Sequence, residues 1–153
     1  MLLGCALPVQ SNPSQELMSA TRGQKLPQTA QFTFNRRTIR LEVARTATEQ
    51  STGLMSRTNL PRNRGMLFVF SPPRAVKFWM KDTLIPLDMI FMSNGIVKYI
   101  GAKIPPCQAD PCASYGPATG IEIDNVIELR SGRAAQLQLK VGDKIKVRYF
   151  GNI

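Results

Sequence analysis

The sequence predicts a mostly β domain, a single compact β-sandwich or partly closed barrel with two short helices. Three observations predict it. Apolar and polar residues alternate with period two around Phe32, Phe34, Ile39, Leu41 and Val43. Met66-Leu67-Phe68-Val69-Phe70 is an unbroken apolar run of strand length. Ser93-Asn94-Gly95 separates two apolar stretches and is the strongest hairpin signal in the chain.

The elements follow in order. Phe32 to Val43, interrupted by Asn35-Arg36-Arg37, reads as a hairpin, with order expected to begin near Gln31. Thr46-Ala47-Thr48-Glu49 has capping-box spacing, so a short helix should run from there to about Met55. Leu60-Pro61 and Asn63-Arg64-Gly65 are turn chemistry before the apolar run, whose lack of alternation implies a central strand covered on both faces. Pro72-Pro73 should break that strand, with Val76 to Met80 forming the next. Leu87 to Met92 and Ile96 to Ala102 are the arms of the Asn94-Gly95 hairpin. Ile104 to Ala118, rich in proline, is a loop, and Gly120 to Leu129 should be extended. Ser131 is placed to cap a second helix through Leu139, and Lys144 to Phe150 is the last strand. The total is about seven or eight strands.

The chain divides into a disordered tether over residues 1–30 and one β-rich domain over 31–153. Residues from Ala6 to about Ala30 are rich in Ser, Pro, Gln and Asn and contain no aromatic residue, a composition that cannot build a core. Met1-Leu2-Leu3-Gly4-Cys5 looks like the end of a bacterial lipoprotein signal, with Cys5 as the lipidated residue. A working signal needs a basic region and an apolar stretch before its cleavage site, so the reading requires a start further upstream; otherwise the match is accidental. With an anchor, the domain is expected outside the cytoplasm, in the periplasm or cell envelope, held at the membrane by lipid alone.

A formal net charge of +10 makes the surface attractive to anions. The basic groups do not interleave with aromatics as a base-stacking surface would, so nucleic acid is not the expected partner. There is no histidine, which removes imidazole catalysis and the commonest metal ligand. No cofactor motif is present and no metal set is assigned. Cys107 and Cys112 flank Gln108-Ala109-Asp110-Pro111, and we expect them to form a disulfide.

Arg57, Lys81 and Asp88 are charged residues in stretches that otherwise read as core, with Trp79 beside them. Asp88 falls on the same strand face as Ile90 and Met92, so its carboxylate must pair with Arg57 or Lys81 or accept backbone N–H groups. The structural reading is a salt bridge that fixes a loop. The functional reading is a small cleft in which Arg57 and Lys81 hold an anionic small molecule, or an envelope partner or polymer, against Trp79. Two alternatives remain: an enzyme with a shallow cleft using Lys81, Asp88 and Tyr115, and a Cu(I) carrier using thioethers from Met55, Met66, Met80, Met89 and Met92 with the two cysteines. Binding is favoured over catalysis because no base stands at a readable spacing from a nucleophile.

Gly53-Leu54-Met55-x-Arg57, Gly65-Met66-Leu67-Phe68, Phe78-Trp79-Met80-Lys81-x-Thr83-x-x-Pro86-Leu87-Asp88-Met89, a Pro-Cys loop and Val141-Gly142-Asp143 occur in that order. This series resembles the domain of unknown function 192 family over about Thr33 to Val147. The resemblance implies a compact β-rich domain, often exported in bacteria and found also in archaea, and implies no accepted substrate, cofactor or reaction. Where the family commonly has Asn after its Trp-Met-Lys, this chain has Asp82, a negative charge close to Lys81.

Overall fold

Asn35 and Arg36, at φ 46° and 63°, and Asn94 and Gly95, at φ 50° and 75°, turn the chain through two tight hairpins of the expected type. The structure, a computed structural model, describes residues 23–151. Cys5 and most of the expected tether lie outside the described residues.

The first hairpin joins β1 (Gln28–Phe34) to β2 (Arg37–Ala44), and α1 (Ala47–Thr52) then leads to β3 (Arg64–Arg74). After β4 (Phe78–Trp79) come β5 (Leu87–Ser93), β6 (Ile96–Ile104), β7 (Ser114–Tyr115), β8 (Ile123–Arg130), α2 (Arg133–Leu137) and β9 (Arg148–Tyr149). Among the described residues seven strands form one mixed sheet in the order β6-β5-β8-β3-β2-β1-β9, while β4 and β7 pair separately. Among the described residues the fold is mostly β with two short helices, and the large sheet is not closed into a barrel. Its two edges are nonetheless linked by the segment before β9, which bridges β6 at Ile96 and Lys144 before β9 pairs with β1.

β3 is central, as its apolar run requires. It lies parallel to β2, through a crossover containing α1, and antiparallel to β8. Gly65 permits that crowding, because a Cβ there would stand 2.6 Å from the Glu128 carbonyl and 2.8 Å from a Leu129 methyl. Both faces are covered. Leu67, Ile90, Ile127 and Leu129 join one core cluster with Phe32, Leu41 and Leu137, whereas Met66, Phe68, Met89, Phe91 and Val126 join the other with Phe70 and Met80. Successive residues of each strand thus enter opposite cores.

Several boundaries differ from expectation. Order begins before Gln31: β1 starts at Gln28, and Gln24 and Leu26 are already hydrogen-bonded to the domain. The strand expected over Val76 to Met80 is only Phe78–Trp79, because the neighbouring chain offers it just two partners, Ser114 and Tyr115. The second helix is shorter than expected, and Ser131 does not cap it. Its N-cap is Gly132 at φ 81°, with no side-chain cap bond. Of the strand expected from Lys144 to Phe150, only Arg148–Tyr149 forms a ladder.

Candidate functional site

α1 forms because Thr46 accepts from the Glu49 amide while Glu49 accepts from the amides of Arg45 and Thr46, a complete capping box. The helix is pinned over the sheet by Gln50, whose side-chain nitrogen donates to the Val69 carbonyl at 2.7 Å. Its C-terminal end is held by Gln24, which donates to the carbonyls of Glu49 and Gly53 at 2.8 and 2.9 Å. Gly53 then turns the chain at φ 46°, a position where a Cβ would meet the Phe68 ring at 3.2 Å.

Between α1 and the β4 segment lies a cleft of about 480 Å³. Its wall is aromatic. Phe78 stacks edge-on against Phe68, Phe70 and Phe91, with ring centres 4.8, 6.2 and 5.4 Å apart. Trp79 lines the mouth and is 51% exposed, a large apolar surface for a side chain fixed in a strand. Arg74 lies over Phe70, 4.7 Å from the ring centre, and Lys77 donates to the carbonyls of Gly116 and Pro117, so two cations rim the aromatic-walled hollow.

Glu128 lines the same cleft. It sits in β8 opposite Met66 on one side and Met89 on the other, on the face that carries Val126 rather than Ile127. The residue is 5% exposed, and burial alone pushes its carboxyl up to about 8 from an ordinary value of 4.5. Among the described residues it forms no ion pair. At neutral pH Glu128 is therefore mainly a neutral acid, able to donate one hydrogen bond into the cleft and to accept another. Sequence reasoning missed it, although a readable signal was there: Glu128 interrupts Val126-Ile127-x-Leu129 just as Asp88 interrupts Leu87-x-Met89.

Arg57, Lys81 and Asp88 do not share a polar nook. Arg57 forms a bidentate ion pair with Glu42, at 2.9 Å from Nη1 and 2.6 Å from Nη2, and also donates to the Gln24 carbonyl. Asp88 is completely buried and takes the second course open to it, accepting from the amides of Lys103, Gly132 and Ala134 at 2.8, 3.0 and 2.8 Å. Lys81 reaches Asp110 at 3.4 Å and lies 5.6 Å from the centre of the Trp79 ring. Of the four ligand-binding candidates, only Trp79 lines the aromatic cleft.

The other candidate sets are likewise separated. Tyr115 pairs with Phe78 and packs on the cluster containing Phe91, whereas Asp88 alternates with those residues and faces the opposite core, so Lys81, Asp88 and Tyr115 cannot act on one substrate. Cys107 and Cys112 form the expected disulfide, with Cα atoms 5.6 Å apart, which removes the thiolates required by the copper reading. Met66, Met80, Met89 and Met92 are buried as core, and Met92 lies in a different cluster from the other three. Among the described residues no group of three or more His, Cys, Asp or Glu side chains could hold a metal ion, and no helix is long and apolar enough to cross a membrane.

The bridge belongs to the cleft wall. The Cys107 amide donates to the Met80 carbonyl at 3.2 Å, and Asp110, inside the bridged loop, meets Lys81 beside Trp79. A covalently closed loop thus holds the end of the short β4 strand, which has little ladder of its own.

Two solved structures are similar to this chain. One is a protein of unknown function from Novosphingobium aromaticivorans DSM 12444, 36% identical, covering 77% of this chain and 83% of that one, with a TM-score of 0.66. The other is a Sinorhizobium meliloti 1021 protein described as a "putative transcription regulator", 27% identical, covering 77% of this chain and 91% of that one, again with a TM-score of 0.66. No protein of curated function matches. The model of the uncharacterized ACR family DUF192 matches residues 30–147, and on that match the chain belongs to the domain of unknown function 192 family.

Proposed function

We propose that this domain binds a small amphipathic molecule in the cleft between α1 and β4. The observation that carries the reading is Glu128, a buried carboxyl without an ion-pair partner among the described residues, at an aromatic-walled hollow. Most buried acids are held by partners, as Asp88 is by three amides; an acid kept neutral and facing a cleft is free for a ligand. The lining defines the ligand class. A flat or aliphatic body would pack on Phe68, Phe70, Phe78 and Trp79, a hydrogen-bonding group would meet Glu128, and an anionic end would lie near Arg74 and Lys77. The anion-binding pair expected from the sequence, Arg57 and Lys81, is replaced in this reading by the rim cations, because Arg57 is committed to Glu42.

The same reading extends to the compartment: the domain acts outside the cytoplasm, in the cell envelope, on a lipid anchor at Cys5. The Cys107–Cys112 bridge supports it, because such bonds persist in oxidising compartments. Incorporation of labelled fatty acid into the protein in its native host, and its loss in Cys5→Ser, is the expected result; a protein that carries no label and fractionates with cytoplasmic markers ends this part of the proposal.

Trp79 is the only tryptophan, so its fluorescence reports the cleft mouth without labelling. A panel of aromatic and fatty carboxylates, with their alcohols and amines, should include compounds that change this emission saturably. Their affinity should drop at least about tenfold in Glu128→Leu and in Arg74→Gln. Emission that never saturates, or equal affinities in all three proteins, would falsify the cleft assignment.

A further inference from the structure

We propose a second site, for a phosphate-type oxyanion, at the end of the sheet where β2 and β3 begin and β8 ends. Register brings the residues together. Arg40 lies opposite Arg64, Gly65 opposite Leu129, and Arg130 opposite Leu87, so the N-terminal ends of β2 and β3 and the C-terminal end of β8 coincide in space. α2 follows at once. Arg133 and Arg37 then converge on one residue: Arg133 Nη1 donates to the Gln136 side-chain oxygen at 2.9 Å and Arg37 Nη1 to the Gln136 carbonyl at 2.7 Å. Lys103 also reaches this end, its Cε 4.0 Å from where a Cβ on Gly132 would stand.

What makes this more than a solubilising patch is Arg133 itself. The residue is 3% exposed, and its Nε is buried with no hydrogen-bond partner among the described residues. A guanidinium is almost never buried without a counter-charge, since burial strips it of its water with nothing to replace it. The ion pairs present among the described residues are Arg57 with Glu42 and Lys81 with Asp110, so Arg133 has none. Arg62, Arg37 and Arg130 add to the strain: burial first, then their positive charges, pull the Arg133 guanidinium below its ordinary range. The nearby acid is Asp88, completely buried and already saturated by three amides.

An oxyanion answers each of these features. Planar guanidinia bind phosphate through paired N–H donors, and several of them around one anion neutralise a doubly charged group that a lone lysine would hold weakly. Arg62 and Arg130 are exposed and can close over it, while Arg133 forms the fixed base. α2 contributes Ala134 and Leu137 to the core cluster on the face opposite that of the aromatic cleft. The two sites are therefore independent, and the failure of one leaves the other standing. A phosphate monoester or inorganic phosphate fits the cluster; an extended nucleic acid would need a longer basic track.

The test is thermal unfolding in sodium phosphate against sodium chloride at matched ionic strength. Wild type should gain a few degrees in Tm at about 10 mM phosphate. Arg62→Gln/Arg130→Gln, two exposed changes that leave the core intact, should lose that gain. Lys98→Gln/Lys144→Gln removes the same charge near the Asn94-Gly95 turn and should keep it. Arg133→Met should also lose it, and should unfold at a higher temperature than wild type without phosphate, since an uncompensated buried charge is gone. No phosphate effect in wild type overturns the proposal. So does an equal loss in both double variants, which would make the effect one of net charge, or protection by duplex DNA in the absence of any by phosphate.

Discussion

Arg57 grips Glu42 through both guanidinium ends, at 2.9 and 2.6 Å, and the two side chains are 11% and 9% exposed. Glu42 also accepts from the Leu26 amide at 2.7 Å, and Arg57 donates to the Gln24 carbonyl, so the pair fastens the segment before β1 to the crossover after α1. A pair this shielded behaves unlike a surface ion pair, because removing one partner strands the other away from water. Arg57→Ala should destabilise the domain by about 3 kcal/mol or more, measured by urea unfolding. The double change Glu42→Leu/Arg57→Met should recover most of that loss. A cost below about 1 kcal/mol for Arg57→Ala would place the pair with exposed salt bridges and remove its structural role.

Asp88 supplies what the α2 terminus lacks. Gly132 has no side chain with which to cap, yet its amide and that of Ala134 both reach the carboxylate of Asp88, 44 and 46 residues earlier in the chain. Asp88→Asn keeps one oxygen but turns an amide donor toward the Ala134 or the Lys103 and Gly132 N–H groups. We expect a loss of roughly 2 to 4 kcal/mol, seen as a lower Tm, with hydrogen exchange accelerated first across α2. Exchange that rises uniformly, with α2 no faster than the sheet, would show that Asp88 does not hold that terminus.

These two carboxylates show where sequence reading reaches its limit. That Asp88 needed partners was legible from its strand alternation, because a charge on a core face has few options. Which option it took was not, since the amides belong to Lys103 of β6 and to the turn at Gly132 and Ala134, which only the β5–β6 and β5–β8 pairings bring near. Local chemistry was read well: the Thr46–Glu49 capping box, the Asn94-Gly95 turn, the central run Met66 to Phe70 and the Cys107–Cys112 bridge all stand as their residue types require. Arg57 failed as a site residue because its partner, Glu42, sits at the end of an alternating strand where it passes for an ordinary polar position. Ser131 failed as a cap because Gly132 turns left-handed at φ 81° and places the amides toward Asp88 instead.

The Cys107–Cys112 bridge should matter more to the cleft than to global stability. Closing so short a loop contributes about 2 kcal/mol in the chain-entropy model. Reduction of the native protein, or Cys107→Ser/Cys112→Ser, should therefore lower Tm modestly. The larger effect is expected at Trp79, whose strand is held through Met80, Lys81 and the bridged loop. Its emission should move to longer wavelength as the ring becomes wetter. Unchanged emission after complete reduction would separate the loop from the cleft wall.

Glu128 gives the domain a pH dependence of unusual sign for a carboxylate. Burial raises its folded-state value to about 8 against 4.5 for the ordinary residue, so between those limits the folded protein holds a proton that the unfolded chain has released. Stability must then fall as pH rises through that window and level off above it, the reverse of an acid stabilised by a cation. The full span corresponds to roughly 4 to 5 kcal/mol, reduced where water enters the cleft and shares the charge. Glu128→Gln keeps the shape and a hydrogen-bonding end but cannot ionise. It should match wild type near pH 5, exceed it in Tm by several degrees near pH 8.5, and show a flatter profile between. Parallel profiles for the two proteins would mean that Glu128 titrates as it does in the unfolded chain, and the neutral acid at the cleft, with the ligand class built on it, would have to be abandoned.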